Sequence, residues 1–162
     1  AMPHALPGDK PLEKGDFVTM DFGCKYQGYC SDMTRTVVIG KATERQKEIY
    51  QVVLEPQQAA LSGLRLGMTG SEGDRLARDV IEKAGYGKYF GHGLGHSVGF
   101  EIHEKPALSM QDDTVLCAGM IETVEPGIYI PGFGGVRIED MVVLTETGIR
   151  NLTSSPKELI EL

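Results

Sequence analysis

The sequence predicts an α+β fold, with an antiparallel sheet covered by helices on one face. Two observations carry this. A hairpin-like stretch lies towards each end of the chain, each offering two acidic residues. Two segments of helical periodicity lie between the hairpins.

The elements follow in order. Lys14-Gly15-Asp16 is a turn leading into a strand. Residues 16–23 and 29–39 read as strands, because Phe17-Val18-Thr19 and Thr36-Val37-Val38-Ile39 are β-branched and aromatic. Thr43 to Gln46 is a capping box, and Ile49, Val52, Val53, Ala60 and Leu64 recur behind it at helical spacing. Pro56 interrupts that helix, and Gly67 is expected to stop it. Thr69 or Ser71 caps a second helix with Leu76, Val80, Ile81 and Ala84 inward and Gly85 after its end. From Tyr89 to Val98 the pattern is Gly-rich and irregular. Residues 120–130 and 135–145 read as the second hairpin. A turn over 145–148 leads into a last strand over 149–153, and 156–162 is a short tail.

The 162 residues suit one domain, 41% apolar and 24% charged, as expected of a soluble globular chain. A net charge of −7 with no basic stripe argues against nucleic acid as a partner. No apolar run approaches the ~20 residues of a membrane span. No secretory signal opens the chain. Cys24, Cys30 and Cys117 lack metal-ligand spacing and are expected to be reduced, mostly buried thiols of a cytoplasmic protein. Ala1-Met2-Pro3-His4 places methionine second, so the chain is expected to be a piece of a longer protein.

Asp21, Asp32, His96, Glu125 and Glu139 are spaced as if to hold two metal ions. Asp21 and Asp32 flank a stretch centred between Tyr26 and Gln27, and a hairpin there makes them cross-strand neighbours. Glu125 and Glu139 flank a stretch centred on Gly132. Four converging carboxylates repel one another, and divalent cations relieve that conflict. Carboxylates with one imidazole suit manganese, cobalt or zinc. The bland alternative for Asp21 is a turn cap or an ion pair with Arg35.

Three of the four histidines, His92, His96 and His103, fall in the Gly-rich run from Gly91 to Pro106. It contains no HExxH, and there is no Gly-x-Ser-x-Gly elbow. Its partial GxGxxG has no strand–helix context, so nucleotide binding is discounted. Pro126 forces Glu125 into an extended conformation. Arg137 is placed to orient a glutamate or a substrate carboxylate, or to make an ordinary ion pair. Glu122 has no assigned role.

These motifs resemble the catalytic domain of the pita-bread metallopeptidases, which include methionine aminopeptidases, aminopeptidase P and prolidase. The matching pieces are Pro3-His4, Asp21-Phe22-Gly23, Gly28-Tyr29 with Ser31-Asp32-Met33-Thr34-Arg35-Thr36, Gly91-His92-Gly93-Leu94-Gly95-His96, His103-Glu104-x-Pro106, Glu125-Pro126-Gly127-Ile128-Tyr129 and Gly135-Val136-Arg137-Ile138-Glu139-Asp140. They span nearly the whole chain in the family's order. Ser-Asp-Met-Thr-Arg-Thr, Glu-Pro-Gly-Ile-Tyr and Arg-Ile-Glu-Asp look like the Xaa-Pro branch.

The resemblance implies a pita-bread fold lacking the first part of the domain, with residues 1–162 as a single partial catalytic domain. It implies that Asp21, Asp32, His96, Glu125 and Glu139 hold two divalent ions, manganese first and cobalt or zinc as alternatives. Asp32 and Glu139 would bridge, and Glu125 would deprotonate a water shared by the ions. His103 resembles the histidine that stabilises the tetrahedral intermediate, His92 a substrate-side histidine, and His4 a further active-site histidine of methionine aminopeptidases. The expected reaction is hydrolysis of a peptide with proline at its second position, by a homodimeric parent. The rivals are methionine aminopeptidase and an inert, peptidase-like binding domain. All five ligand positions are filled, which ranks the inert reading last.

Overall fold

A computed structural model describes residues 1–162. Strands β1 (Phe17–Phe22) and β4 (Met33–Val38) pair antiparallel, and the short strands β2 (Lys25–Tyr26) and β3 (Tyr29–Cys30) continue the same hairpin to its tip. Gln27 and Gly28 form the tip with φ of 48° and 91°, the two positive angles that a tight primed turn requires. The turn centre therefore lies one residue later than the sequence suggested. Asp21 consequently faces Thr34 rather than Asp32. The two aspartates are diagonal neighbours, and their direct cross-strand pairing is corrected.

Helix α1 (Glu44–Gly63) starts at Thr43, whose side chain accepts from the Gln46 amide while Gln46 returns the bond. It runs through the buried Pro56 and ends at Leu64, before Gly67. Helix α2 (Gly70–Lys83) is capped by Thr69 with Glu72. Its buried face is Gly73, Asp74, Ala77, Arg78 and Ile81, whereas Ala84 is exposed and Leu76 and Val80 are half-buried.

The Gly-rich region yields two strands, β5 (Gly95–Ser97), where an irregular run was expected, and β6 (Glu104–Leu108), where Glu104 and Pro106 were expected to be extended. The second hairpin comprises β7 (Ile121–Val124), β8 (Gly127–Ile130), β9 (Gly134–Arg137) and β10 (Asp140–Thr145), followed by β11 (Gly148–Asn151). It is interrupted where continuous strands were expected. β7 and β10 join a five-stranded antiparallel sheet of order β11-β10-β7-β5-β6, while β8 and β9 form a separate ribbon.

Both helices cover the sheets from one side. Ile49, Tyr50 and Val53 of α1 pack with Ile81, Phe90, Ile128, Val136 and Ile138. Ala60, Leu64 and Ala77 pack with Leu94, Leu108, Val124, Val142 and Leu144. Val124 and Ile138 point into these cores, so alternation turns the neighbouring Glu125 and Glu139 away from the helices. The tail is more than an appendage. Ile160 and Leu162 exchange backbone hydrogen bonds with Val38 and Gly40.

The three thiols are free, but Cys24 and Cys117 are exposed and Cys30 is half-buried, so the expectation of mostly buried cysteines is corrected. No helix is long and apolar enough to cross a membrane.

Candidate metal centre

The hairpin break builds the centre of the site. The Glu125 amide donates to the Leu94 carbonyl at 2.8 Å and the Glu139 amide to the Thr34 carbonyl at 3.0 Å. Each glutamate is therefore drawn out of its own ladder by a different element. β1 delivers Asp21, the residue just before β4 is Asp32, and β5 delivers His96. All five line one cavity of 230 Å³, with Pro3, His4, His92, Gly93, Gly95, His103, Ala107, Ser109 and Arg137.

Donor atoms of Asp32, His96 and Glu139 lie within 4.8 Å of one another. His96 Nε2 is 3.3 Å from Glu125 Oε1 and 3.7 Å from Asp32 Oδ2. His96 Nδ1 faces the Ser97 carbonyl at 3.1 Å, which fixes the proton on Nδ1 and leaves the Nε2 lone pair aimed at the carboxylates. Burial holds the His96 pKa down, keeping the ring neutral.

The carboxylates are held by hydroxyls. Thr34 Oγ1 donates to Glu139 Oε2 at 2.6 Å, and Thr123 Oγ1 donates to Glu125 Oε1 at 3.0 Å. Thr123 also accepts from the His96 amide. Glu139 Oε1 is buried without any hydrogen-bond partner. Burial, then the charge of Asp21, pushes Asp32 up to about 6. Burial and the neighbouring carboxylates raise Glu125 and Glu139. A buried, unpartnered oxygen among crowded carboxylates suits a cation. Oxygen donors with one imidazole fit divalent ions of the manganese, cobalt and zinc type.

Asp21 is drawn sideways. Arg137 Nη2 donates to Asp21 Oδ2 at 2.6 Å, Nη1 to Tyr129 Oη at 2.7 Å and to the Pro3 carbonyl at 3.1 Å, and Nε to Thr34 Oγ1 at 3.2 Å. Asp21's partner is thus Arg137. Arg35 instead pairs with Asp140.

The histidines divide. The His103 ring is edge-on to His96 with centroids 4.4 Å apart, on the cavity's exposed lip. The bend this requires begins at Gly99, where a Cβ would collide with the Glu104 carboxylate. His92 Nδ1 faces the Gly93 carbonyl at 2.8 Å, and Nε2 accepts from Tyr129 Oη at 3.1 Å. Burial lowers the His92 pKa to about 4. Both of its ring nitrogens are therefore engaged by the protein. His4 lines the cavity on a segment anchored through Pro3.

Sequence reasoning gave Tyr129 and Thr123 no role. Tyr129 sits inside the quoted Glu-Pro-Gly-Ile-Tyr run, which was the available signal. Thr123 had none beyond its place two residues before Glu125.

Residues 1–146 match the sequence profile of metallopeptidase family M24. A curated Xaa-Pro dipeptidase from Pyrococcus horikoshii is 52% identical over 160 residues, which is 99% of this chain and 46% of that protein. An Xaa-Pro dipeptidase structure from Bacillus anthracis superposes with a TM-score of 0.97 at 55% identity, covering 99% of this chain and 45% of that one. An X-Pro aminopeptidase structure from Thermotoga maritima gives 0.96 at 45% identity, covering 99% and 46%. The chain spans about half the length of these proteins, and the shared part has their pita-bread fold.

Proposed function

The chain belongs to metallopeptidase family M24, and from that premise we propose that its protein hydrolyses the bond between an N-terminal residue and proline, using two divalent ions with manganese foremost. The observation carrying this reading is the convergence of four carboxylates and a neutral imidazole on one cavity, with one buried carboxylate oxygen left unpartnered. Xaa-Pro peptidases at about half identity over the whole chain support the substrate class.

Asp32, His96 and Glu139 would hold the metal centre, with Asp21 and Glu125 completing it. A metal pair there supplies Lewis acidity and acidifies a water. Glu125 would take up a proton from the attacking water: its Oε1 is fixed by Thr123, and burial raises its proton affinity. His103, on the lip, donates towards the carbonyl oxygen as negative charge develops there. His92, neutral and engaged on both sides, serves as a fixed wall beside the substrate, and His4 lines the same cavity. Arg137 holds Asp21 and Tyr129 in place.

The test is metal content followed by hydrolysis of an Xaa-Pro dipeptide, an Xaa-Pro-Yaa tripeptide and a Met-Ala peptide, each with and without chelator. Chelator-sensitive cleavage of the proline peptides is expected. Turnover confined to the Met-Ala peptide would replace this reading with that of a methionine aminopeptidase.

A further inference from the structure

Asp74 and Arg78 lie one turn apart on α2, are almost fully buried, and do not line the cavity. Their side chains form a two-pronged ion pair, Arg78 Nε to Asp74 Oδ2 at 2.5 Å and Nη2 to Oδ1 at 2.9 Å. Every further hydrogen bond they make goes to the backbone of one short segment. Arg78 Nη1 donates to the Phe90 carbonyl at 3.2 Å and Nη2 to the His92 carbonyl at 2.7 Å. Asp74 Oδ1 accepts from the Leu94 amide at 2.9 Å. The guanidinium also lies 4.3 Å from the Phe90 ring centroid, and that ring packs edge-on against His92.

Residues 90, 92 and 94 precede β5 and belong to no ladder. Gly91 and Gly93 lie between them, and glycine restrains its own backbone least of all residues. The pair thus substitutes for a missing strand, offering two donors and one acceptor at alternate residues. What it holds leads directly to the site. His92 and Gly93 form a cavity wall, and the Leu94 carbonyl receives the Glu125 amide.

We propose that Asp74 and Arg78 are positioning residues for the hydrolytic reaction, fixing Phe90–Leu94 so that His92 and Glu125 meet the substrate in register. Arginine is required because its fork spans two carbonyls while gripping one carboxylate, which a lysine ammonium cannot do. This inference rests on the hydrolytic reading above.

Arg78→Lys in the full-length protein keeps the buried charge balance and removes the fork. Below the melting transition it should lower kcat for an Xaa-Pro peptide by on the order of 10–100-fold, the effect of an ångström-scale displacement of reacting groups. In a His92→Ala background the same substitution should cost markedly less, because part of its effect passes through His92. Amide exchange should quicken around residues 90–96 and 121–128 and stay unchanged elsewhere. Strictly additive losses, wild-type kcat in the folded variant, or a uniform rise in exchange would each overturn the proposal and leave a pair that merely stabilises. A wild-type protein inactive on every proline peptide would instead overturn the hydrolytic reading, while the exchange pattern still reports whether the pair holds the segment.

Discussion

Glu125 and Glu139 face one another at a gap in a hairpin. The ladder Gly127↔Arg137 lies on one side of them and Val124↔Asp140 on the other, and one register runs through both. The glutamates keep their opposed positions although their own amides bond to Leu94 and Thr34. The strands supply alignment, and the two outside acceptors supply the splay that opens space between the carboxylates.

Glu125→Gln removes a metal donor and a proton acceptor while preserving shape and the Thr123 bond. Turnover should fall by on the order of 10²–10⁴. Steady-state kcat on an Xaa-Pro peptide checks this, and a value within a few-fold of wild type would remove Glu125 from the chemistry.

His103 and His96 should separate. His96→Ala is expected to abolish or strongly weaken metal uptake, because its Nε2 faces Asp32 and Glu125. His103→Ala should lower kcat with metal affinity nearly unchanged. Calorimetric titration of both variants with Mn²⁺ decides the matter, and equal losses of binding would make His103 a ligand.

Metal affinity should rise with pH. Burial and the Asp21 charge hold Asp32 at about 6, so near pH 5 it is mostly protonated and an ion must displace that proton. Between about pH 5 and pH 7 the Asp32 share of this competition fades, while Glu125 and Glu139, raised by burial and by their neighbours' charges, carry it to higher pH. Titrations in buffers of different ionisation enthalpy should register proton release from about pH 6 upward. Binding without release would contradict the crowding of carboxylates.

Glu122 tunes stability rather than catalysis. Its carboxyl is fully buried and contacts Ser97 Oγ at 2.6 Å, and burial raises its pKa to about 7. The folded state therefore binds a proton more tightly than the unfolded one. Its cost is absent below about pH 4.5, grows as pH rises, and is complete above about 7. The rise from 4.5 to about 7 corresponds to about 3 kcal/mol. Glu122→Gln should raise stability at pH 8 and leave it little changed at pH 4. Denaturant melts of both proteins, metal-loaded, check the sign.

Arg35→Ala should destabilise by about 3–5 kcal/mol, the usual effect of orphaning one half of a buried ion pair. All five Arg35 donors are committed, to the carbonyls of Thr34, Glu139, Ser155 and Pro156 and to Asp140 Oδ1. Urea melts give the value, and a loss under 1 kcal/mol would mean that Lys157, also on Asp140, suffices.

The glutamate hairpin was legible because its turn is symmetric about Gly132. The aspartate hairpin was misread by one residue because the positive φ angles fall on Gln27 and Gly28, and side-chain patterning does not reveal which pair of residues takes them. The ladder breaks were hidden for a different reason. They depend on acceptors from Thr34 and Leu94, which local periodicity does not report. Asp74 and Arg78 were invisible because opposite charges four apart on a helix ordinarily mark a solvated face. The cluster of histidines among glycines pointed to the site but not to strand β5, whose Gly95-His96-Ser97 lacks β-rich composition.

The β8–β9 ribbon acts as a ruler whose far end meets the rest of the fold through one ring, Phe133 lying edge-on to Phe17 of β1. The Ile130↔Gly134 pair closes the ladder, and Pro131, Gly132 and Phe133 lie beyond it. Added residues at that tip leave the glutamates opposed, whereas a single residue added below it would rotate one glutamate to the helix side. Phe133 and Gly134 border a second cavity of 790 Å³ that shares Pro3, His4, Asp21 and Arg137 with the first. A lengthened tip that keeps the Phe133–Phe17 contact would therefore reshape the approach to the candidate site while the glutamates stay opposed, so loop exchange at 131–133 offers a way to change what the second cavity admits without changing the carboxylate cluster.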